Sequence, residues 1–369
     1  MTLFAPEPRR RSRSRTVGWV LVVGAVVLAI VASILPSPYV IELPGPVFNT
    51  IGTQQQGTGK DAKQVELIEV RGRETYPTSG ALDMLTVSVE GTATQRPAWT
   101  SVIRALFTKS QAVVPASVIY PPGTTTEQVN EQDAADMTNS QQSAVAAAMI
   151  QQGIAVPTEL EVGTVGEGTA AQGTIRKGDV ITAFDGTALT TDADATTLRD
   201  LVAKHGTSSP ATVTVTRDGA SRDVQVTPRE QSGTALLGVG VVVRYDFPFD
   251  VKIQLQDVGG PSAGMMFALG IIDEITPGKL NGGKHVAGTG TITADGQVGP
   301  IGGIRQKLYG AADAGATVFL APASNCNEVV GHVPAGLDVY AVKTLDQAVT
   351  DLQTIASGKS TAGLATCGS

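Results

Sequence analysis

The run from Ala263 to Ile275, with Met-Met-Phe-Ala-Leu-Gly-Ile-Ile at its centre, constrains the fold most, because it has almost no polar face. A helix of that composition has to be buried on all sides, so the rest of the chain must wrap around it. Gly259-Gly260-Pro261-Ser262 leads into it. Pro261 suits the first turn of a helix but not its interior, and a serine side chain favours a helix start. Ser262 is therefore expected at the mouth of a buried helix, where the first-turn N–H groups and their partial positive charge stabilise a developing oxyanion.

A partner for that serine follows about forty-five residues later. After Gly302-Gly303, the segment Ile304 to Ala314 is helical in pattern, with Ile304, Leu308 and Ala311 on one face at three-to-four spacing. Lys307 falls on the same stripe, while Arg305, Gln306 and Asp313 take the wetter sides. Burial disfavours an ammonium ion, so the pKa of Lys307 should fall towards the ~7 to 8 that a general base needs. A serine at a helix start ordinarily only caps it, and a lysine beside an apolar stripe ordinarily sends its head to water. Here both sit behind glycine-rich approaches, in order. Between them Val286 to Thr293, a turn at Asp295-Gly296 and Gln297 to Ile301 read as a hairpin.

These residues resemble the peptidase domain of Lon-type serine proteases, and most closely membrane-anchored relatives that contain a PDZ domain. The resemblance is carried by Gly-Pro-Ser-Ala-Gly around Ser262, by Thr289-Gly290, and by Pro300-Ile301-Gly302-Gly303 leading to Lys307. It implies Ser262 as nucleophile and Lys307 as general base, with Thr289 helping to hold the lysine and Gly260, Pro261, Gly302 and Gly303 shaping the approaches. Two positions depart from the family: Thr291 stands where an acidic residue is usual, and Gly259 where an aspartate precedes Gly-Pro-Ser.

The span from about 153 to 228 changes character, with short strands and the turns Lys177-Gly178-Asp179 and Asp185-Gly186. Ala170-Ala171-Gly173, Gly178-Asp179-Val180-Ile181 and Asp185-Gly186 resemble a bacterial PDZ domain, which implies capture of C-terminal peptides by strand addition. The carboxylate loop is expected at Gly153, Ile154, Ala155 and Val156. Only about thirty residues separate this span from Ser262, too few for a Lon-type peptidase, so the missing strands must precede it. The fold expected is α+β: a single N-terminal transmembrane helix, then a Lon-type peptidase of small α/β sheets with an inserted PDZ β-module. The divisions are a basic cytoplasmic tail at 1–16, a transmembrane helix at 17–35, the N-terminal peptidase part at 36–150, the PDZ domain at 151–230, the catalytic part at 231–356, and a flexible tail at 357–369.

Charge and hydropathy supply the membrane expectation. Residues 1–16 hold five arginines and one glutamate, which leaves the rest of the chain at −11 against −7 overall. Val17 to Leu35 is nineteen uncharged residues, long enough to span a bilayer, with the arginines keeping the N-terminus cytoplasmic and the catalytic part extracytoplasmic. A cleaved signal peptide is the competing reading, but its apolar core is normally ~7 to 15 residues. The acidic remainder argues against nucleic acid as a partner. Gly278 to Lys284 has P-loop spacing but is followed by His285 instead of Ser or Thr, so ATP is not expected either. His205, His285 and His332 are scattered without metal-like spacing, and no cofactor or metal is expected. Cys326 and Cys367 are either a disulfide or two free thiols. The expected partners are peptide or protein substrates, C-terminal peptides at the PDZ module and membrane lipid at 17–35, and the resemblance allows a homo-oligomeric ring. The sequence thus predicts a membrane-anchored, ATP-independent serine endopeptidase. The alternative is a silent PDZ adaptor that binds exposed C-termini for another protease.

Overall fold

The computed structural model describes residues 13–57, 62–189, 195–231, 233–256 and 258–368. In chain order, its principal elements are α1 (Arg13–Ile34), β1 (Tyr39–Asn49), β2 (Ala81–Glu90), α2 (Trp99–Leu106), β3 (Ala112–Pro115), α3 (Thr126–Gln151), β4 (Thr158–Val165) and β5 (Val180–Phe184). They continue with α4 (Ala195–His205), β6 (Ala211–Arg217), β7 (Ala220–Val226), β8 (Val239–Tyr245), α5 (Gly264–Ile275), β9 (His285–Gly288), α6 (Ile304–Asp313), β10 (Val318–Pro322), β11 (Asp338–Val342) and α7 (Leu345–Ala356).

The main sheet has the order β11-β10-β9-β2-β1-β3. β11, β10, β9 and β2 run parallel, and β2, β1 and β3 alternate in direction. Half its strands precede the second sheet in sequence and half follow it. Strand periodicity divides its side chains between two cores. Leu82, Met84, Val286, Val318, Leu320 and Val342 face a layer that includes α3, α5 and α7, while Leu85, Ala287, Phe319 and Ala321 face α6. The apolar run is α5, with Gly264 to Asp273 all buried, as its composition requires.

The second sheet is antiparallel, β7-β6-β5-β4-β8, and encloses its own core around Leu160, Ile181, Phe184 and Val213. Asp179 in its Gly-Asp turn is paired by Arg217 at 2.6 Å, and that hydrogen bond holds the carboxyl below the usual carboxylate range.

The transmembrane helix at 17–35 is overturned, because among the described residues no helix is long and apolar enough to cross a membrane. The arginines at 9–11 lie outside the described residues. The single strand expected at 286–293 is also divided: β9 ends at Gly288, and only Thr291–Ile292 pairs with Val298–Gly299. Past β9, Thr289 N–H still donates to the Leu320 carbonyl of β10 at 3.2 Å, while Thr289 Oγ1 and Gly290 N–H are used elsewhere.

Candidate active site

Ser262 lies just ahead of α5, which begins at Gly264 with Ala263 as its N-cap, so the serine stands in a turn and not in the first helical turn. Gly260 bends that turn at a φ of 81°, a left-handed conformation that glycine adopts without strain. Four contacts fix the loop. Gly260 N–H donates to the Asp133 carbonyl at 2.8 Å, and Ser140 Oγ donates to the Pro261 carbonyl at 2.9 Å. The Ser262 carbonyl accepts from Gly290 N–H and from Thr289 Oγ1, each at 2.9 Å. Thr289 Oγ1 and Gly290 N–H thus clasp the nucleophile loop where β9 stops.

Lys307 arrives from the opposite face of the sheet. Gly303 caps α6 at a φ of 68°, and a Cβ there would stand 2.6 Å from Val87 Cγ2, so both conformation and space demand glycine. One turn into α6, Lys307 is 2% exposed, and Nζ donates to Ser262 Oγ at 2.7 Å and to Thr289 Oγ1 at 3.0 Å. Burial pulls its pKa from the ordinary 10.5 down to about 7. Near neutrality much of the amine is therefore uncharged and can accept the Ser262 hydroxyl proton across the same 2.7 Å contact. Gln306, expected on a wetter side, is buried beside it because α6 lies across β1 and β2.

A groove of about 380 Å³ opens in front of the pair, bordered by Met84, Thr86, Ser88, Val258 and Gly302. β9 pairs with β2 only as far as Met84, so among the described residues the β2 edge from Leu85 to Ser88 has no strand beside it on that side. Gly259, which departs from the family aspartate, lies against α3, and a side chain there would collide with Asp133 Cβ at 2.6 Å.

Asn325, Ser140 and Asp133 had no motif to mark them. Asn325 Oδ1 accepts from Ile301 N–H and its Nδ2 donates to the Ile301 carbonyl, both at 2.9 Å, fixing the approach to α6. The adjacent Cys326 is bonded to Cys367. His285 faces Asp83 at 2.5 Å between β9 and β2, and among the described residues no histidine contacts Ser262.

Gly153 to Val156 follow α3 and do not border the cavity of the second sheet. Gly153 and Ile154 donate N–H groups to the last turn of α3, and Ile154 and Val156 pack into the main core. The groove of the second sheet lies between α4 and the open edge of β8, about 290 Å³ lined by Leu198, Val202 and residues 236–241. The carbonyls of Leu237 and Gly238 accept from Ala171 and Gly166. A trans peptide sets its N–H opposite its C=O, so the N–H groups of Gly238 and Val239 point away from that turn. The sequence signal was Leu236-Leu237-Gly238 ahead of a valine-rich strand.

Residues 256–354 match the Lon protease (S16) C-terminal proteolytic domain. This is a Lon-type proteolytic domain. Residues 129–227 match the PDZ domain family. Lon protease 2 of Herpetosiphon aurantiacus is 39% identical over 105 residues, 27% of this chain and 13% of that protein. The Lon protease of Escherichia coli K12 is 37% identical over 94 residues, 25% of this chain and 12% of that protein. The chain thus matches only about an eighth of these relatives' length. Among solved structures, the PDZ domain of the SdrC-like protein Lin2157 from Listeria innocua is 18% identical, covering 22% of this chain and 92% of that one, with a TM-score of 0.21. The Lon-type domain indicates a peptidase and the PDZ domain peptide binding.

Proposed function

We propose that the chain is a serine endopeptidase that works without ATP through a Ser262–Lys307 dyad. The observation that carries this reading is the 2.7 Å contact between Lys307 Nζ and Ser262 Oγ in a site that burial has brought to a pKa of about 7. Neutral Lys307 takes the Ser262 proton as Oγ attacks the scissile carbonyl, then returns it to the departing amine, leaving an acyl-enzyme that water hydrolyses by the same proton route. Among the described residues the N–H groups of Ser262 and Ala263 donate to no protein acceptor, which makes them the oxyanion donors of this reading. The substrate backbone lies along the free Leu85–Ser88 edge of β2 as an added strand, which favours extended or unfolded segments. Within this chain the P-loop-like run at 278–284 gives way to β9, which supports ATP independence.

The PDZ groove takes a peptide C-terminus as a further strand on β8, its carboxylate on the N–H groups of Gly238 and Val239. Hydrolysis of casein without ATP tests the proposal. Wild type should cleave, while folded Ser262→Ala and Lys307→Ala proteins should not, with a loss of at least about a thousandfold. Cleavage that survived both substitutions would sink the dyad. No cleavage by any form would favour the adaptor alternative.

A further inference from the structure

Beside the dyad groove lies a second cavity of about 600 Å³, and the two share Met137, Val258 and Gly259. A substrate residue close to the scissile bond can therefore place its side chain there. Ile253, Leu255 and Val258 supply an apolar wall, while α3 supplies a polar one. Asp133 is the one charged side chain lining this cavity among the described residues. It is held firmly, since its carbonyl binds Gly260 N–H and its Cβ packs on Gly259. Among the described residues its carboxylate has no salt bridge and no side-chain hydrogen bond. Burial, with Asp136 one turn away, raises its pKa, as expected of an anion lacking a counter-ion.

We infer that this cavity is a specificity subsite for a basic residue of the substrate, with Asp133 receiving the Lys or Arg cation and the apolar wall receiving its methylene stem. Long cationic side chains suit both walls, because their stems bury against apolar surface while the charged head seeks a partner. A neutral aliphatic residue fills the apolar wall and leaves Asp133 unpaired, and an acidic one meets a like charge. The inference rests on the reading of Ser262 and Lys307 as the dyad, and it names the substrates that dyad would prefer.

The test uses peptides that differ at one residue, Lys, norleucine or Glu, scanned across the positions flanking the cleaved bond. All are amidated at the C-terminus to keep them out of the PDZ groove. For the full-length protein, kcat/KM should fall in the order Lys, norleucine, Glu at one position. The readout is the Lys-to-norleucine ratio within each protein, so a general loss of activity cancels. Asp133→Asn should lower that ratio about five- to tenfold, and Asp133→Lys should turn the preference towards Glu. An unchanged ratio in Asp133→Asn overturns the subsite. A second arm measures binding of the same peptides to the Ser262→Ala protein by fluorescence anisotropy. If no peptide is hydrolysed, the dyad reading fails. The binding arm still decides the subsite: tighter binding of the Lys peptide, lost in Ser262→Ala/Asp133→Asn, supports it, and equal affinities overturn it.

Discussion

A lysine that is 2% exposed and, among the described residues, has no carboxylate partner lowers stability whenever it carries its proton. Its folded pKa is about 7 against 10.5 for the unfolded chain. Between those values the unfolded chain holds a proton that the folded one does not, so stability rises with pH by about 1.4 kcal/mol per unit from about pH 7 to 10.5. Lys307→Met removes this titration. Urea denaturation at pH 7 and pH 9 should show wild type gaining about 2 kcal/mol relative to the variant, and an equal difference at both pH values would refute a depressed pKa. The same pKa sets activity: kcat/KM should climb about tenfold per unit below pH 7 and level off above it, as the base loses its proton. Lys307 was legible because one charge on an apolar stripe spaced by three and four is conspicuous. Ser140 and Asp133 were not, since they act on a loop over a hundred residues away in sequence, and no local pattern encodes that contact.

At the scale of elements, the approach turns matter as much as the helices they lead to. Gly303→Ala places a Cβ at a positive φ and against Val87, which should cost about 2–3 kcal/mol in thermal denaturation and slow cleavage by misplacing α6. Loss of the Cys326–Cys367 bond, in Cys367→Ser/Cys326→Ser, reopens a loop with a sequence separation of 41 and should cost about 2–4 kcal/mol. Because Asn325 next to Cys326 holds Ile301, cleavage should weaken as well; activity unchanged at full destabilisation would separate the two effects. The buried helix was readable from composition, since a run without a polar face has one solution. The break at Thr289 was not, because alternation of residue types cannot show that a threonine hydroxyl is needed to hold Ser262. The first sheet residue after that break is Thr291, where the family keeps an acid, and nothing in the structure explains the exchange.

At the scale of the whole chain, β2 and β9 lie side by side although the whole second sheet separates them in sequence. The cavity of the second sheet is bordered by β8, which follows the segment whose turns carry the PDZ resemblance, so those turns alone do not locate it. Gly238 has a φ of 79°, and a Cβ there would meet Thr169 at 2.2 Å. Gly238→Ala should therefore weaken binding of C-terminal peptides at least tenfold by anisotropy, with hydrolysis of short amidated peptides retained; unaltered binding would move the groove elsewhere. The reading of 17–35 as a membrane span is overturned, since among the described residues no helix is long and apolar enough to cross a membrane.

Asp83 and His285 touch across a sequence separation of 202, and between them the chain builds an entire second sheet. Contacts so distant in sequence form late, after the intervening loop-closure entropy has been met. During synthesis the serine and lysine emerge only after all of β2, α3 and the PDZ sheet have been made. A growing chain therefore carries half a sheet and no nucleophile. The protease reading then implies a polypeptide harmless to its neighbours on the ribosome, acquiring reactivity only in the last step of its own folding.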